Sequence, residues 1–398
     1  MGKRTRSLVL SAVLCACLSI MAMSLTGCFD EEATSPGEED TAQTGSFETS
    51  ITNPFNQVKK NRVFSIDGKT YAVRTDELNK NEELYEIDGN QMHLDIGSQA
   101  PSYINCINNK LYFYTVGYEL DGAGSGTIAY KFLSSDIDGS HEKALIVLNL
   151  TQTSDSFVFI NGVHIYNNTL YYTIIKTDSI GIRTDLHKFD LDTNKDTVYY
   201  QAEQYCDVAY LDGDTYIAYF GTYGDLTTRA AFKIDSEGNK TPCAKLGNAL
   251  NMFGANGQIY FTSTEDEGDD YTSSIQRYEP EDETVSEVYA IKNSQLIDFT
   301  IDGDTLYMSY HYALDDEDTE HSVIKSVGIE GNKAEEKVLL ESQCPFMEAE
   351  TESVSYKSLI KIGNKLYYEN VYHDTDKTPS RLGVVDLETG QSSLLEVK

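Results

Sequence analysis

The sequence predicts an all-β protein, a β-propeller of seven four-stranded blades, and three observations carry that prediction. A turn pair followed by a short Tyr-bearing strand is written seven times between Asp67 and Tyr368. The tyrosines of those strands, Tyr71, Tyr112, Tyr171, Tyr216, Tyr260, Tyr307 and Tyr367, recur at intervals of 41 to 60 residues, and a repeat of about 40–50 residues made of strands is propeller spacing. The composition, with 28 Tyr, 28 Gly and 7 Pro, favours strands, and no segment sustains a helical period. Six or eight blades are the alternatives, because the first copy is the least regular.

Each copy reads as a hairpin. The pairs are Asp67-Gly68, Asn108-Asn109, Asn167-Asn168, Asp212-Gly213, Asn256-Gly257, Asp302-Gly303 and Gly363-Asn364. Such pairs tolerate the positive φ of type I′ turns, whose twist matches that of paired strands. Apolar or β-branched residues flank them, as in Phe299-Thr-Ile301 and Leu306-Tyr-Met308. Leu170-Tyr-Tyr-Thr-Ile-Ile175 is apolar almost throughout, the pattern of a strand covered on both faces, as when one sheet lies between two others.

Before the repeats comes an export signal. Lys3, Arg4 and Arg6 precede an uncharged apolar run from Ser7 to Ser24, and Leu25-Thr26-Gly27-Cys28 resembles the bacterial lipobox. Residues 1–27 are therefore expected to be cleaved, leaving Cys28 to carry a lipid that anchors the chain to the bilayer without spanning it. Residues 28–58 hold seven acidic residues before Gln57 with no Lys or Arg until Lys59. Such a stretch buries too little surface to offset the entropy of ordering and reads as a disordered stalk; only Phe47 to Ile51 could add an edge strand.

The propeller is placed at 59–398, in copies at roughly 59–97, 102–148, 156–202, 205–247, 250–292, 296–342 and 354–398. Most copies carry a second marker, a strand closing in an acidic or Gly turn: Tyr85-Glu-Ile-Asp-Gly89, Asp136-Ile-Asp-Gly139, Phe189-Asp-Leu-Asp192, Phe232-Lys-Ile-Asp235, Val327-Gly-Ile-Glu-Gly331 and Val385-Asp-Leu-Glu388. The fifth copy has Arg277-Tyr-Glu-Pro-Glu281 instead. A fourth strand comes next, for instance Lys337-Val-Leu-Leu340. Repeats of a turn, Leu/Ile-Tyr-Tyr and a strand ending in Asp-Gly resemble those of secreted bacterial lipoproteins with a low-density-lipoprotein-receptor-like (YWTD-type) β-propeller. The resemblance covers 59–398 and departs in one respect, since this chain has no Trp. It implies fold and location; that group is of largely unknown function, so it supplies no substrate and no active-site residue.

The lack of Trp excludes the Trp-docking, Trp-Asp and Asp-box repeats of other propellers. No Gly-x-Ser-x-Gly elbow is present for an appended serine hydrolase. Gly122-Ala-Gly-Ser-Gly126 leads into the strand-like Thr127-Ile-Ala-Tyr130, so it reads as a flexible loop rather than a phosphate cradle. Asp190-x-Asp192-x-Asn194-x-Asp196 has the first half of a calcium-loop spacing but Lys195 at the sixth position and Gln201 at the twelfth; it reads as a surface turn. Of seven cysteines, Cys106, Cys206, Cys243 and Cys344 remain after the signal and Cys28. They are expected as buried free thiols, with Cys206–Cys243 the alternative disulfide. The net charge of −33 becomes −36 once the three signal cations are removed, which disfavours nucleic acid and anionic lipid surfaces as partners.

Loop length is concentrated after the Tyr strands, at 115–126, 176–184, 221–228, 262–274, 311–321 and 373–380. These second-to-third-strand loops open on one end of the channel, so that rim is the expected binding face. It would present Tyr118, Tyr223, Tyr271, Tyr310, Tyr312 and Tyr372, flat groups with polar tips suited to sugars or peptides. His311 and His373 lie at matching strand parity in copies six and seven. With Asp315, Asp316 and the neighbouring Glu317, Asp318, His321 and Asp374 they form the candidate site for a divalent metal, the only cofactor the sequence suggests. The expected protein is a monomeric, membrane-anchored, extracytoplasmic binding or scaffold module for a peptide, glycan or cell-envelope component. The alternative is a metal-assisted hydrolase, lactonase-like enzyme or lyase at the channel mouth.

Overall fold

The computed structural model describes residues 63–397 except 67–68, 76–81, 90, 97–101, 108–109, 121–124, 137–139, 154, 180, 221–228, 268–269, 314–318, 330–335, 346–353 and 373–379. The signal and stalk, with Cys28 and Phe47 to Ile51, lie outside the described residues. So do the turn pairs Asp67-Gly68 and Asn108-Asn109 and most of the Gly122–Gly126 loop. The strand expected after that loop forms, as Gly126–Asp136.

Seven antiparallel sheets succeed one another, each with its four strands in chain order. The blades occupy 63–96, 102–152, 157–202, 206–242, 250–292, 294–345 and 354–394. Seven is the count, and the alternatives of six and eight are excluded. The hairpin turns explain why each strand reverses where it does. Asn167 and Asn168, Asp212 and Gly213, and Asn256 and Gly257 all have positive φ at both central positions, as type I′ requires. Blades six and seven differ from expectation. Ile362 pairs with Lys365 and Asp302 with Thr305, so the central pairs are Gly363-Asn364 and Gly303-Asp304. Only the Gly of each has positive φ, the Gly-first pattern of a type II′ turn.

Second strands are buried on both faces: in Thr169–Asp178, six consecutive residues from Leu170 to Ile175 are buried. Fourth strands such as Lys143–Gln152 and Lys195–Ala202 alternate between exposed and partly buried residues and form the outer edge. First strands pack on first strands around the axis. Their approach is tight enough that a Cβ on Gly254, in the first strand of blade five, would lie 2.1 Å from the Tyr210 carbonyl oxygen of blade four.

The core is accordingly not central but divided into slabs between blades. Tyr112, Tyr114 and Phe132 meet Tyr172 and Phe189 between blades two and three. Tyr171 and Leu186 meet Val208 and Ile217 between three and four, and Phe253 and Tyr260 meet Phe299 and Met308 between five and six. All seven repeat tyrosines are buried, as expected. The hydroxyl of Tyr260 donates to Gln258 Oε1 within its own strand at 2.6 Å. Other tyrosines join blades three and four, through Tyr210 to Thr173 at 2.8 Å and Tyr199 to Thr215 at 2.7 Å.

The ring closes by a crossing of the C-terminal chain. After blade seven, Glu396–Val397 pairs in parallel with Gln91–Met92, adding a fifth strand to the outer edge of blade one. Leu395 and Leu382 pack with Val63, Tyr85 and Met92 beneath it. The expected acidic turns are side-chain caps. Asp190 Oδ1 accepts from the backbone N–H groups of Asp192 and Thr193, Asp235 Oδ1 from Glu237 and Asn239, and Asp386 Oδ1 from Glu388 and Thr389. The segment from Asp190 to Asp196 is thus the surface turn expected, with Asn194 at φ 51°. Cys206 and Cys243 are buried and free, so the alternative disulfide is not formed; the side chains of Cys106 and Cys344 lie outside the described residues.

Candidate functional site

Of the expected rim residues, Tyr223, His373, Asp315 and Asp316 lie outside the described residues, with Glu317, Asp318 and Asp374. Tyr118 and Tyr372 end up inside the strands Lys110–Leu120 and Lys365–Tyr372, their side chains likewise undescribed. Tyr271 is half-buried near the start of Asp270–Glu279, its backbone exchanging hydrogen bonds with Asn293. Tyr310 and Tyr312 belong not to a loop but to the strand Thr305–Ala313. Tyr310 is buried against blade five with Lys325 Nζ 5.5 Å from its ring centroid. The strand simply runs further than its loop-like sequence suggests.

His311 is also in that strand, buried, and opposite Ser322 and Gln295. It shares the face of Tyr307 and Ser309, and Ser309 donates to the Tyr356 carbonyl of blade seven at 2.7 Å. His321, expected in the loop with the acids, lies instead in Thr319–Gly328. There it stands opposite Tyr312 and so on the other face of the sheet, bonded to Glu341 at 3.1 Å. Period-two alternation sends the two imidazoles apart. Among the described residues no group of three or more His, Cys, Asp or Glu side chains gathers as metal donors.

A cleft of about 620 Å³ opens at the other end of the ring, where the hairpin turns of blades three and four meet. The face of blade three toward blade four carries two cross-strand rows. His164, Tyr171, Lys188 and Thr197 form the deeper one, and Tyr166, Thr169, Asp190 and Lys195 the outer one. All but His164 line the cleft, facing Asp212, Gly213, Asp214 and Ser236 of blade four. Lys188 Nζ donates to the Ser236 carbonyl and so ties the two walls together, while Lys233 pairs with Asp214 within blade four and the Leu191 N–H donates to the Asn168 carbonyl at 3.0 Å within blade three. Gly213, at φ 82°, would place a Cβ 3.0 Å from Tyr166 Cε1, so the absence of a side chain lets the turn seat the Tyr166 ring.

Electrostatics derive from these contacts. The Thr193 backbone N–H first, and that of Asp192 with it, holds the Asp190 carboxyl below the usual range. Burial, with Tyr166 and Asp214 nearby, pushes the Tyr171 phenol up. Behind the two tyrosines, His164 stacks on Tyr166 and Tyr210, with centroids 6.3 and 5.5 Å away, and burial holds its imidazole down to about 4. The floor is therefore neutral at pH 7 and the walls carry charges of both signs. The sequence carries one signal for this site: Lys188 and Lys195 stand close together in a chain with 31 basic and 64 acidic residues. Short hairpin turns read as closed surface, and that reading hides the signal.

No family model matches the chain, and no curated protein matches it by sequence. Solved structures share the fold. An uncharacterized protein from Listeria monocytogenes EGD-e has 10% identity over 91% of this chain and 98% of its own, with a TM-score of 0.51. A prolyl endopeptidase has 15% identity over 86% of this chain and 50% of its own, also with a TM-score of 0.51. An acylaminoacyl peptidase has 9% identity over 85% and 52%, with a TM-score of 0.50. The chain thus spans about half the length of either peptidase. At these identities the likeness shows the propeller fold and nothing about activity.

Proposed function

We propose that the protein is a lipid-anchored, extracytoplasmic propeller that binds a peptide, glycan or cell-envelope component as a recognition or scaffold module. One observation carries the reading: a pre-formed, polar and aromatic cleft of about 620 Å³, within the roughly 300–1,000 Å³ of small-ligand sites. Anchoring through Cys28 is supported by Leu25-Thr26-Gly27-Cys28, and display away from the bilayer by the acidic segment after it. Metabolic labelling with palmitate tests the anchor. Label is expected on the parent protein and absent from Cys28→Ala, and label that persists in that variant removes it. Screening the full-length protein against glycan and peptide arrays tests the recognition role, which silence on both arrays would overturn.

An enzymatic reading at the opposite rim is favoured by one placement, His311 near the end of its strand on the face toward blade seven. It takes the form of a metal-assisted hydrolase, lactonase-like enzyme or lyase. Calorimetric titration of metal-stripped protein with zinc, manganese and calcium tests it. The reading requires binding that weakens in the double variant His311→Ala/His373→Ala; binding that is absent or undiminished removes it.

A further inference from the structure

We propose that the cleft between blades three and four is a site for a neutral glycan, an assignment that rests on the reading of the protein as a binding module. No aliphatic side chain lines the cleft. An extended peptide is usually held by pockets for its apolar side chains and by a free strand edge that continues the ladder. No such pocket is present here, and although Lys195–Ala202 is an edge strand, the cleft is lined by the sheet face that carries the two rows and by the turns rather than by that edge. What it does offer is the half-buried ring of Tyr166 over the buried Tyr171, hydroxyls from Thr169, Thr193 and Thr197, and ammonium and carboxylate groups side by side. A sugar hydroxyl both donates and accepts, so vicinal hydroxyls can take a Lys donor and an Asp acceptor at once.

Charge selects among glycans. Three aspartates and two lysines line the cleft, and the whole chain carries −33. A uronate or phosphorylated sugar would enter against that field, whereas an uncharged one meets only dipoles and hydrogen-bonding groups. The site is also set in advance. Asp190 is fixed by two backbone N–H groups, Lys188 by the Ser236 carbonyl, and Tyr166 by His164 and the bare Cα of Gly213. Little conformational freedom remains to be lost on binding. Lys195 and Asp212, both exposed, face each other's blades and can close on a ligand.

The test uses full-length protein in a detergent without a sugar headgroup. The probes are neutral cello-, malto- and N-acetylglucosamine oligosaccharides, oligogalacturonate as the anionic counterpart, and a peptide library, with calorimetry on whatever binds. A neutral oligosaccharide is expected to bind with little dependence on salt. Lys195→Met and Asp212→Asn should each weaken it about tenfold or more at an unchanged melting temperature. Asn keeps the positive φ of position 212, so the turn survives that change. Binding of oligogalacturonate or a peptide with no neutral oligosaccharide overturns the neutral-glycan assignment and leaves the binding module standing. A neutral oligosaccharide bound equally by both variants overturns the cleft. No binding of any class overturns both this proposal and the reading beneath it.

Discussion

His321 lies flat against Tyr312, directly across the strand ladder, with ring centroids 4.7 Å apart and planes 16° from parallel. Its Nδ1 meets Glu341 Oε1 of the next strand at 3.1 Å. Blade three repeats the arrangement at its other end: His187 stacks on Tyr172 at 4.6 Å and bonds Asp196 at 3.1 Å. An aromatic from the second strand, an imidazole from the third and a carboxylate from the fourth thus make a recurrent internal brace. Phe in place of either His keeps the stack and removes the hydrogen bond. His187→Phe and His321→Phe should each cost about 1 kcal/mol in denaturant unfolding, and their effects should add, since the sites lie in separate blades. His321→Ala should cost clearly more, because the ring contact goes too.

His164 should make the ring acid-sensitive. Its folded-state pKa is held down to about 4 by burial, against about 6.5 in an unfolded chain. Above pH 6.5 the imidazole is neutral in both states, so its titration does not change stability there. Between about pH 6.5 and 4 the unfolded chain takes up the proton and the folded ring does not, so stability falls as pH falls, by on the order of 3 kcal/mol in total. His164→Phe should flatten that part of the stability–pH curve while changing little at about pH 8. Unchanged curvature would falsify the assignment.

Closure by the C-terminal chain predicts strong dependence on a short segment. Leu395 is buried among Val63, Tyr85 and Met92 of blade one, so Leu395→Ala should cost about 2–4 kcal/mol. Truncation after Ser353 removes blade seven and exposes the slabs on both sides, which should abolish cooperative melting. A sharp melt near the parent temperature in the truncated protein would mean that the ring does not depend on closure.

Burial pushes the Cys206 thiol up to about 12 and removes it from solvent. Maleimide at about pH 8, read out by peptide mass spectrometry, should leave Cys206 unmodified in the folded protein and label it in urea, because the thiolate is the nucleophile and is absent from the fold. Rapid native labelling would show that blade four opens.

Residue chemistry that acts locally was decided by the sequence alone. Asn167-Asn168, Asp212-Gly213 and Asn256-Gly257 tolerate a backbone that few other residues adopt, and that fixed where strands reverse. The spacing of Tyr71 to Tyr367 fixed the blades, and the unbroken apolar run at Leu170–Ile175 fixed the two-sided burial. The acidic turn marker became a side-chain cap at Asp190, Asp235 and Asp386 for the same local reason. Placement across the sheets and around the ring was settled only by the tertiary structure. His311 and His321 differ by an even number of residues, yet pairing across a hairpin puts them on opposite faces, because register, not sequence distance, assigns a face. Tyr310 and Tyr312 went into a strand because blade six extends as far as its partner strands can pair. The cleft appears in no single repeat: its rows come from four strands of blade three and its far wall from two turns of blade four. It arises where the packing of two blades leaves their turn ends apart.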